Sequence, residues 1–522
     1  MSESGEYLPR VRDFFAKRNI LVTGGTGFMG MALIEGLLSA SEEIGKIYVL
    51  VRAKRDMTPA QRITRVLSSE IFNHHSAESK AKVIPLVGDI NCENFDFDEK
   101  TLITIRDEVS VFYHNAGVIK FNKSVKEAVL GNVLTTLRAV DLAKTLPKLS
   151  AFIYCSSLLS NSNRGGLIRE EVYKTKKSPL EMIKLALEEP SSLEQVAEPM
   201  SDSIENHWNS YSYSKQLAEN LIFEKMAGCP AGIVRPSLVY GFYNHFIPGW
   251  MGSSRSGHCG MFRTHMKGVI RSVIGNDDDL MWSIPCDYVI KALLSFTVSL
   301  GQPNSVFELP IIHLTNSRNC NPWNLKQFVT YINAESWKNP CDSYILLARF
   351  KVREGLRLNL VVLLSYLFVL MTYYPEKWFH WTPKWCRGVD IISIQYTFSK
   401  IYKTRVSILD DVSLENTNYL MQKMHPDDKD VYNFDVRNVD WRKLVAKSIS
   451  WLRQYYYKDS NSVTWMHRVV QYLYLLNQHL GFEGVVHFGI FKMVQCLLIT
   501  ITSSTLLGTT FGLLAAAFAY WL

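Results

Sequence analysis

Tyr211 and Lys215, four residues apart in Tyr211-Ser212-Tyr213-Ser214-Lys215, are the residues of this chain best placed by type and spacing to move a proton. They open a segment, Gln216 to Met226, that reads as a helix; on a helix, positions i and i+4 share a face. An ammonium beside a phenol favours the phenolate, so Lys215 is expected to lower the Tyr211 pKa from about 10 and let it exchange a proton with a carbonyl oxygen near neutral pH. The same spacing also occurs where a half-buried Tyr covers a solvated Lys, so position in the fold has to decide. A third hydroxyl is expected from Cys155-Ser156-Ser157, which closes the apolar run Ala151-Phe152-Ile153-Tyr154. Open α/β sheets bind ligands at the carboxyl ends of their strands. Ser157 would donate to a developing oxyanion beside Tyr211, and Ser156 would satisfy backbone groups. Neither lies in G-x-S-x-G, so no nucleophile elbow is indicated.

A nucleotide site is expected at Thr23-Gly24-Gly25-Thr26-Gly27-Phe28-Met29-Gly30, between the apolar run Asn19-Ile20-Leu21-Val22 and a segment of helical periodicity. Gly25, Gly27 and Gly30 satisfy G-x-G-x-x-G: one makes the tight turn, one lets backbone approach a pyrophosphate, and one lets helix and strand pack closely. The N–H groups of the helix start would face the anion. The second apolar run, Ile47 to Val51, ends in Arg52, with Lys54 and Arg55 behind it, where an acid would select NAD. A guanidinium there suits a 2′-phosphate, so NADPH is the expected cofactor. A third run, Val83 to Val87, leads into Gly88-Asp89-Ile90, where Asp89 could hold the adenine or simply make a turn.

These sites need elements to hold them. Apolar strands and amphipathic segments alternate from residue 19 to about 240, continuing through Ser110-Val111-Phe112-Tyr113 and Ala231-Gly232-Ile233-Val234. That is the signature of a Rossmann-type, doubly wound parallel α/β sheet. A polar stretch, 164–207, reads as an insertion over the site. After an N-terminal segment (1–18), the expected organisation is a reductase domain (19–320), a mostly helical C-terminal domain (321–460), a juxtamembrane segment (461–492) and a transmembrane anchor (493–522).

The 522 residues carry a net charge of +8, with Lys and Arg dispersed rather than gathered into a block, so no nucleic-acid footprint is evident. Acidic ligands or an anionic membrane surface fit better. None of the nine cysteines forms a C-x-x-C pair, and no H-E-x-x-H occurs, so neither a disulfide framework nor a zinc motif is expected and the catalytic part should face a reducing compartment. Met1 to Arg18 lacks the apolar core of a signal peptide. No charge follows Lys492, and Met493 to Leu522 as a helix would reach roughly 45 Å, beyond the roughly 30 Å hydrocarbon core. With Arg468 and Lys492 before it, the body of the protein is expected in the cytosol. Hydroxyls at Thr502 to Thr505 suit the thin bilayer of the endoplasmic reticulum, the peroxisome being second. Gly508 and Gly512 offer a G-x-x-x-G face on which two copies could pair. The apolar run 358–374, flanked by Lys351, Arg353 and Arg357 and followed by Trp378, Trp381 and Trp385, suits a core helix, a re-entrant segment or a short span.

Over nearly its whole length the chain resembles an alcohol-forming fatty acyl-CoA reductase of the extended short-chain dehydrogenase/reductase family. The nucleotide loop, Arg52 and Y-x-x-x-K carry the resemblance, together with Ile233-Val234-Arg235-Pro236-Ser237, Pro248-Gly249-Trp250, Lys267-Gly268 with Arg271, and Asn316 to Pro322. His425-Pro426-Asp427-Asp428, Tyr432 to Arg437 and Asp440-Trp441 resemble the signature that closes the family's C-terminal domain. The resemblance implies two hydride transfers from NADPH to a long-chain acyl-CoA, giving a primary alcohol and free CoA, with membrane lipid as surroundings. Tyr211 would protonate the oxyanion, Ser157 would stabilise it, Lys215 would tune Tyr211 and hold the nicotinamide ribose, and the 358–374 region would line the acyl channel. The chain departs from the family where Leu158-Leu159 replaces Ala-Tyr, at Thr135, and at Asn115 and Gly117. A membrane-bound oxidoreductase of sterols or other lipids, and a weakly active acyl-CoA-binding relative, are the alternatives.

Overall fold

The computed structural model describes residues 7–53, 57–121, 123–188, 193, 201–252, 257–266, 272–273, 275–302, 309–339, 351–352 and 409–458. Lys54, Lys267, Gly268, Arg271, the 358–374 run and the segments 461–492 and 493–522 lie outside them.

Seven strands form the central sheet: β1 (Asn19–Thr23), β2 (Ile47–Val51), β3 (Val83–Val87), β4 (Val109–His114), β5 (Ala151–Cys155), β6 (Ala231–Pro236) and β7 (Ile311–Leu314). They lie in the order β3-β2-β1-β4-β5-β6-β7, and every pairing is parallel. The strands are near-continuous apolar runs because a parallel sheet is covered on both faces: β2, β4, β5 and β6 are buried at every residue. β3 carries Pro85 and an exposed Val87, which its edge position tolerates because an edge strand needs one ladder fewer. Strand order reverses between β1 and β4, which leaves a crevice at their carboxyl ends.

Four helices matter for the site. Helix α1 (Phe28–Ala40) leaves the glycine loop, α2 (Pro59–Leu67) follows β2, α3 (Thr135–Lys144) precedes β5, and α4 (Ser210–Lys225) precedes β6. The sequence places the start of α4 at Gln216; the helix starts six residues earlier, at Ser210, capped by Asn209, whose side chain accepts the Ser212 N–H. Tyr211 and Lys215 are therefore both helical. Burial runs along both sides of α4. Ala218 and Ile222, on the Tyr211–Lys215 face, enter the core against the sheet, whereas Tyr213, Leu217 and Leu221 pack with Met182, Ile183, Ala186 and Ile204 of the 164–207 stretch. The described part of that stretch buttresses the back of the catalytic helix.

The chain divides into two compact units. The first takes in 1–260, 280–323 and 407–448, so the sheet and the His425–Trp441 signature fold together. The second comprises 261–279, 324–406 and 449–522; its helix Leu325–Lys338 begins with a capping box between Asn324 and Gln327. Among the described residues no helix is long and apolar enough to cross a membrane.

Candidate active site

The glycine loop is shaped by its lack of side chains. Gly24 holds φ +72°, and a Cβ there would stand 2.8 Å from the backbone of Asn115 and Ala116. A Cβ on Gly30 would lie 2.2 Å from the Gly24 carbonyl oxygen, so only glycine lets α1 start this close to the turn. Gly27 is the N-cap and no acid occupies the first turn of α1, leaving its free N–H groups and positive dipole end for an anion. The loop is anchored below by Thr23, whose hydroxyl bonds His114 Nδ1 at 2.9 Å and accepts the Ala116 N–H at 3.2 Å. Burial holds His114 neutral, lowering its pKa to about 3. These features fit a dinucleotide pyrophosphate.

Arg52, at the end of β2, is exposed. Beside it stands a cation the sequence reading did not single out: Arg62 of α2 donates to the Arg52 carbonyl oxygen and, at 3.0 Å, to the Thr26 hydroxyl. Two guanidiniums thus flank the β2 side of the loop, and burial together with the Arg52 charge lowers the Arg62 pKa. At the next strand, Asp89 Oδ1 accepts both the backbone and side-chain N–H groups of Asn91, at 3.0 and 2.6 Å, so the turn role is observed. Ile90 packs against the core that contains Leu50 and Phe95.

At the end of β5 the three proposed catalytic side chains converge. Tyr211, Ser157 and Lys215 are all buried, at 8%, 8% and 4% exposure. The Tyr211 phenol stands beside the Ser157 hydroxyl, whose Oγ accepts the Leu159 N–H at 3.2 Å. Lys215 Nζ donates to the Cys155 carbonyl oxygen at 2.8 Å and sits 4.7 Å from the centre of the Tyr154 ring. The expected lowering of the Tyr211 pKa by Lys215 is not found. Burial pushes the phenol up to about 12, opposed by the nearby Ser157 hydroxyl, because desolvation of a phenolate outweighs a neighbouring donor. Lys215 is itself pulled down to about 8 by burial, partly offset by Cys155 and Glu219. At neutral pH the pair is a protonated phenol and an ammonium.

Ser156 also differs from expectation. Its Oγ donates to Glu219 of α4 rather than to backbone. Glu219 in turn forms a fully buried two-point pair with Arg235 of β6, at 3.0 and 2.7 Å. Asn132 is a further residue that spacing did not reveal. It lies in a π-helical turn, Val129–Leu134, where its Oδ1 accepts the Val118 N–H at 2.7 Å and its Nδ2 donates to Val118 O and to Ser214 Oγ, on α4. A Cβ on Gly117 would stand 3.0 Å from Asn132 Oδ1 and 3.5 Å from Lys215 Nζ, so the departure to glycine keeps space open above the lysine.

Residues 22–293 match the protein family described as male sterility protein, a nicotinamide-nucleotide-binding domain. A putative fatty acyl-CoA reductase of Drosophila melanogaster is 36% identical, covering 98% of this chain and 93% of that protein. Fatty acyl-CoA reductase 1 of Homo sapiens is 24% identical, with 87% of each chain covered. Among solved structures, the terminal R domain of the myxalamid PKS-NRPS pathway shares the fold, with a TM-score of 0.56 at 21% identity over 84% of this chain and 92% of that one. The reductase domain of a nonribosomal peptide synthetase from Mycobacterium tuberculosis gives 0.55 at 14% identity over 84% and 92%.

Proposed function

The chain belongs to the fatty acyl-CoA reductases, within the extended short-chain dehydrogenase/reductase family, and we propose that it reduces long-chain acyl-CoA to the primary alcohol with NADPH, releasing CoA. The observation that carries this reading is the meeting of Tyr211, Ser157 and Lys215 at the carboxyl end of β5, in the sheet whose β1 ends at the glycine loop. A bound nicotinamide supplies hydride to the substrate's carbonyl carbon. Tyr211, protonated below about pH 12, gives its proton to the carbonyl oxygen as charge develops there. Ser157, beside the phenol, donates its own hydroxyl to that oxygen as the charge grows. Lys215, anchored on Cys155 O, keeps a positive charge beneath the site. The first transfer gives a hemithioacetal, whose collapse expels CoA as a thiolate that takes up a proton. The aldehyde left behind accepts a second hydride and a second proton to become the alcohol.

The test is incubation of the purified protein with NADPH and acyl-CoAs of graded length, followed by lipid analysis. Primary alcohols are expected. Acyl-CoA binding without turnover would support a silent relative, as the Leu158-Leu159 departure suggests, and turnover of sterols alone would reassign the substrate.

The preference for NADPH rests on Arg52 and Arg62 at the 2′ side of the loop. A charge-assisted pair with phosphate is worth roughly 1.5–3 kcal/mol, so Arg52→Ala is expected to erode the kcat/KM preference for NADPH over NADH by roughly 10- to 100-fold. Equal use of both cofactors by the unaltered protein would refute the assignment.

Because burial brings Lys215 down to about 8, its charge is lost as pH rises through that value. If the cation is required, kcat/KM falls about tenfold per pH unit above about 8. A profile flat to pH 10 would remove Lys215 from the charged machinery.

The protein is further proposed to be anchored by 493–522 with its reductase part in the cytosol, on the endoplasmic reticulum before the peroxisome, with pairing through Gly508 and Gly512. The support is the uncharged length of that segment and the lipid nature of substrate and product. Deleting 493–522 should move at least part of the protein to the soluble fraction. Protease added to sealed microsomes should digest the bulk of the chain; full protection would reverse the topology.

A further inference from the structure

Away from the glycine loop, the far half of α1 carries a buried carboxylate, Glu35, which the proposed reaction does not use. Three imidazoles converge on it. His74 Nε2 lies 3.5 Å and His75 Nε2 3.7 Å from Glu35 Oε1, while His245 Nε2 lies 3.3 Å from Oε2. The candidate ligand atoms of Glu35, His74 and His75 all fall within 4.8 Å of one another. The two histidine spacings exceed the 2.7–3.2 Å usual for an N–H···O bond. They come close to the edge of a zinc tetrahedron, which for bonds of 2.0–2.1 Å is about 3.3–3.4 Å.

A second observation points the same way. The His75 side chain is only 7% exposed, yet its buried Nε2 has no hydrogen-bond partner. Glu35 does not need that nitrogen, since the Ser39 hydroxyl already donates to Oε1 at 2.8 Å. A buried ring nitrogen without a hydrogen bond facing a carboxylate, with a second imidazole tilted at 42° and its centroid 3.8 Å away, leaves a gap that a cation would fill.

We propose that Glu35, His74 and His75 form a binding site for a divalent transition metal, zinc by ligand type, held by one carboxylate oxygen and two imidazole Nε2 atoms. Two nitrogens and one oxygen suit zinc rather than magnesium or calcium, which take oxygen. His74, 39% exposed, leaves the fourth position open to water. His245 is a positioning residue. Its Nδ1 accepts the Ile247 N–H at 3.3 Å, which puts the proton of the neutral ring on Nε2, facing the second carboxylate oxygen. The metal would tie α1 to the turn carrying His74 and His75. Through His245 it would reach the loop that bears Trp250, whose ring lies 5.3 Å from that of Phe28 at the start of α1.

The test uses the full chain, stripped with a chelator at pH 7.5 and titrated with Zn²⁺ against a chromophoric competitor, with Co²⁺ absorption reporting coordination. One Zn²⁺ per chain and a rise in melting temperature are expected. His245→Gln should weaken binding roughly 10- to 100-fold, as loss of an orienting contact does. Glu35→Gln and His74→Ala should weaken it further and abolish the thermal gain; His74 is accessible enough that its variant should fold, which circular dichroism checks. Equal Zn²⁺ affinity in the unaltered protein and both ligand variants would overturn the proposal, as would no saturable binding by the unaltered protein.

Discussion

Tyr211→Phe is expected to lower kcat by roughly 10²- to 10⁴-fold, the range in which a positioned general acid contributes, while leaving the dissociation constant for NADPH nearly unchanged. The substitution removes one oxygen from a residue already 8% exposed and keeps the ring, which meets Phe121 edge-on at 5.3 Å, so the fold should hold. The phenol acts mainly in the transition state, when the carbonyl oxygen gains charge, so binding should be spared. Burial holds Tyr211 protonated at neutral pH, and this strengthens the expectation, because a donor that is always loaded is always missed when removed. Residual activity above about a tenth, measured as NADPH oxidation under saturation, would mean that another group delivers the proton.

Arg235→Leu should be the most destabilising single change near the site, by about 3–5 kcal/mol, because it strands Glu219 as an unpaired charge in the interior. Both side chains are fully buried. Arg235 also donates to the carbonyl oxygens of Arg169 and Glu171 and to His313 Nε2, so one side chain joins β6, β7 and the inserted stretch. His313 can accept that bond because burial and the Arg235 charge keep it neutral. A paired change, Arg235→Leu with Glu219→Leu, removes both charges and should recover much of the loss. Chemical denaturation of all three variants against the parent checks this. A single variant within about 1 kcal/mol of the parent would mean that the pair is not shielded from water.

Most of the sheet was legible because parallel strands covered on both faces are short apolar runs, and the first six in chain order were read that way. β7 escaped because His313 interrupts Ile311-Ile312-His313-Leu314, and the histidine is tolerated only through partners brought from β6 and from Ser413. The early start of α4 was missed for a related reason. Ser210, Ser212 and Ser214 look solvent-facing, but both faces of the helix are covered, and their hydroxyls bond Lys123 O, Asn209 O and Tyr211 O. Tyr211, Lys215 and Ser157 could be found from spacing and from the strand they follow. Their protonation could not, because it is set by burial that only the assembled core creates. Asn132 and Glu219 carry no local signature; like Arg62, each acts on a residue that the fold brings alongside from elsewhere in the chain, 10 to 82 positions away. Arg62 alone had a cue, as a cation one turn into the helix after β2.

The central claim is that one site transfers hydride twice to the same carbon. The most direct measurement supplies the purified chain with a long-chain acyl-CoA and NADPH fully deuterated at C4 of the nicotinamide, and reads the product by mass spectrometry. The expected result is a primary alcohol with two deuterium atoms at C1, two NADP⁺ formed for each free CoA, and at least roughly 10²-fold less labelled product from the Tyr211→Phe variant in the same time. An aldehyde with a single deuterium as the end product, or free CoA with no deuterium in the lipid, would contradict it.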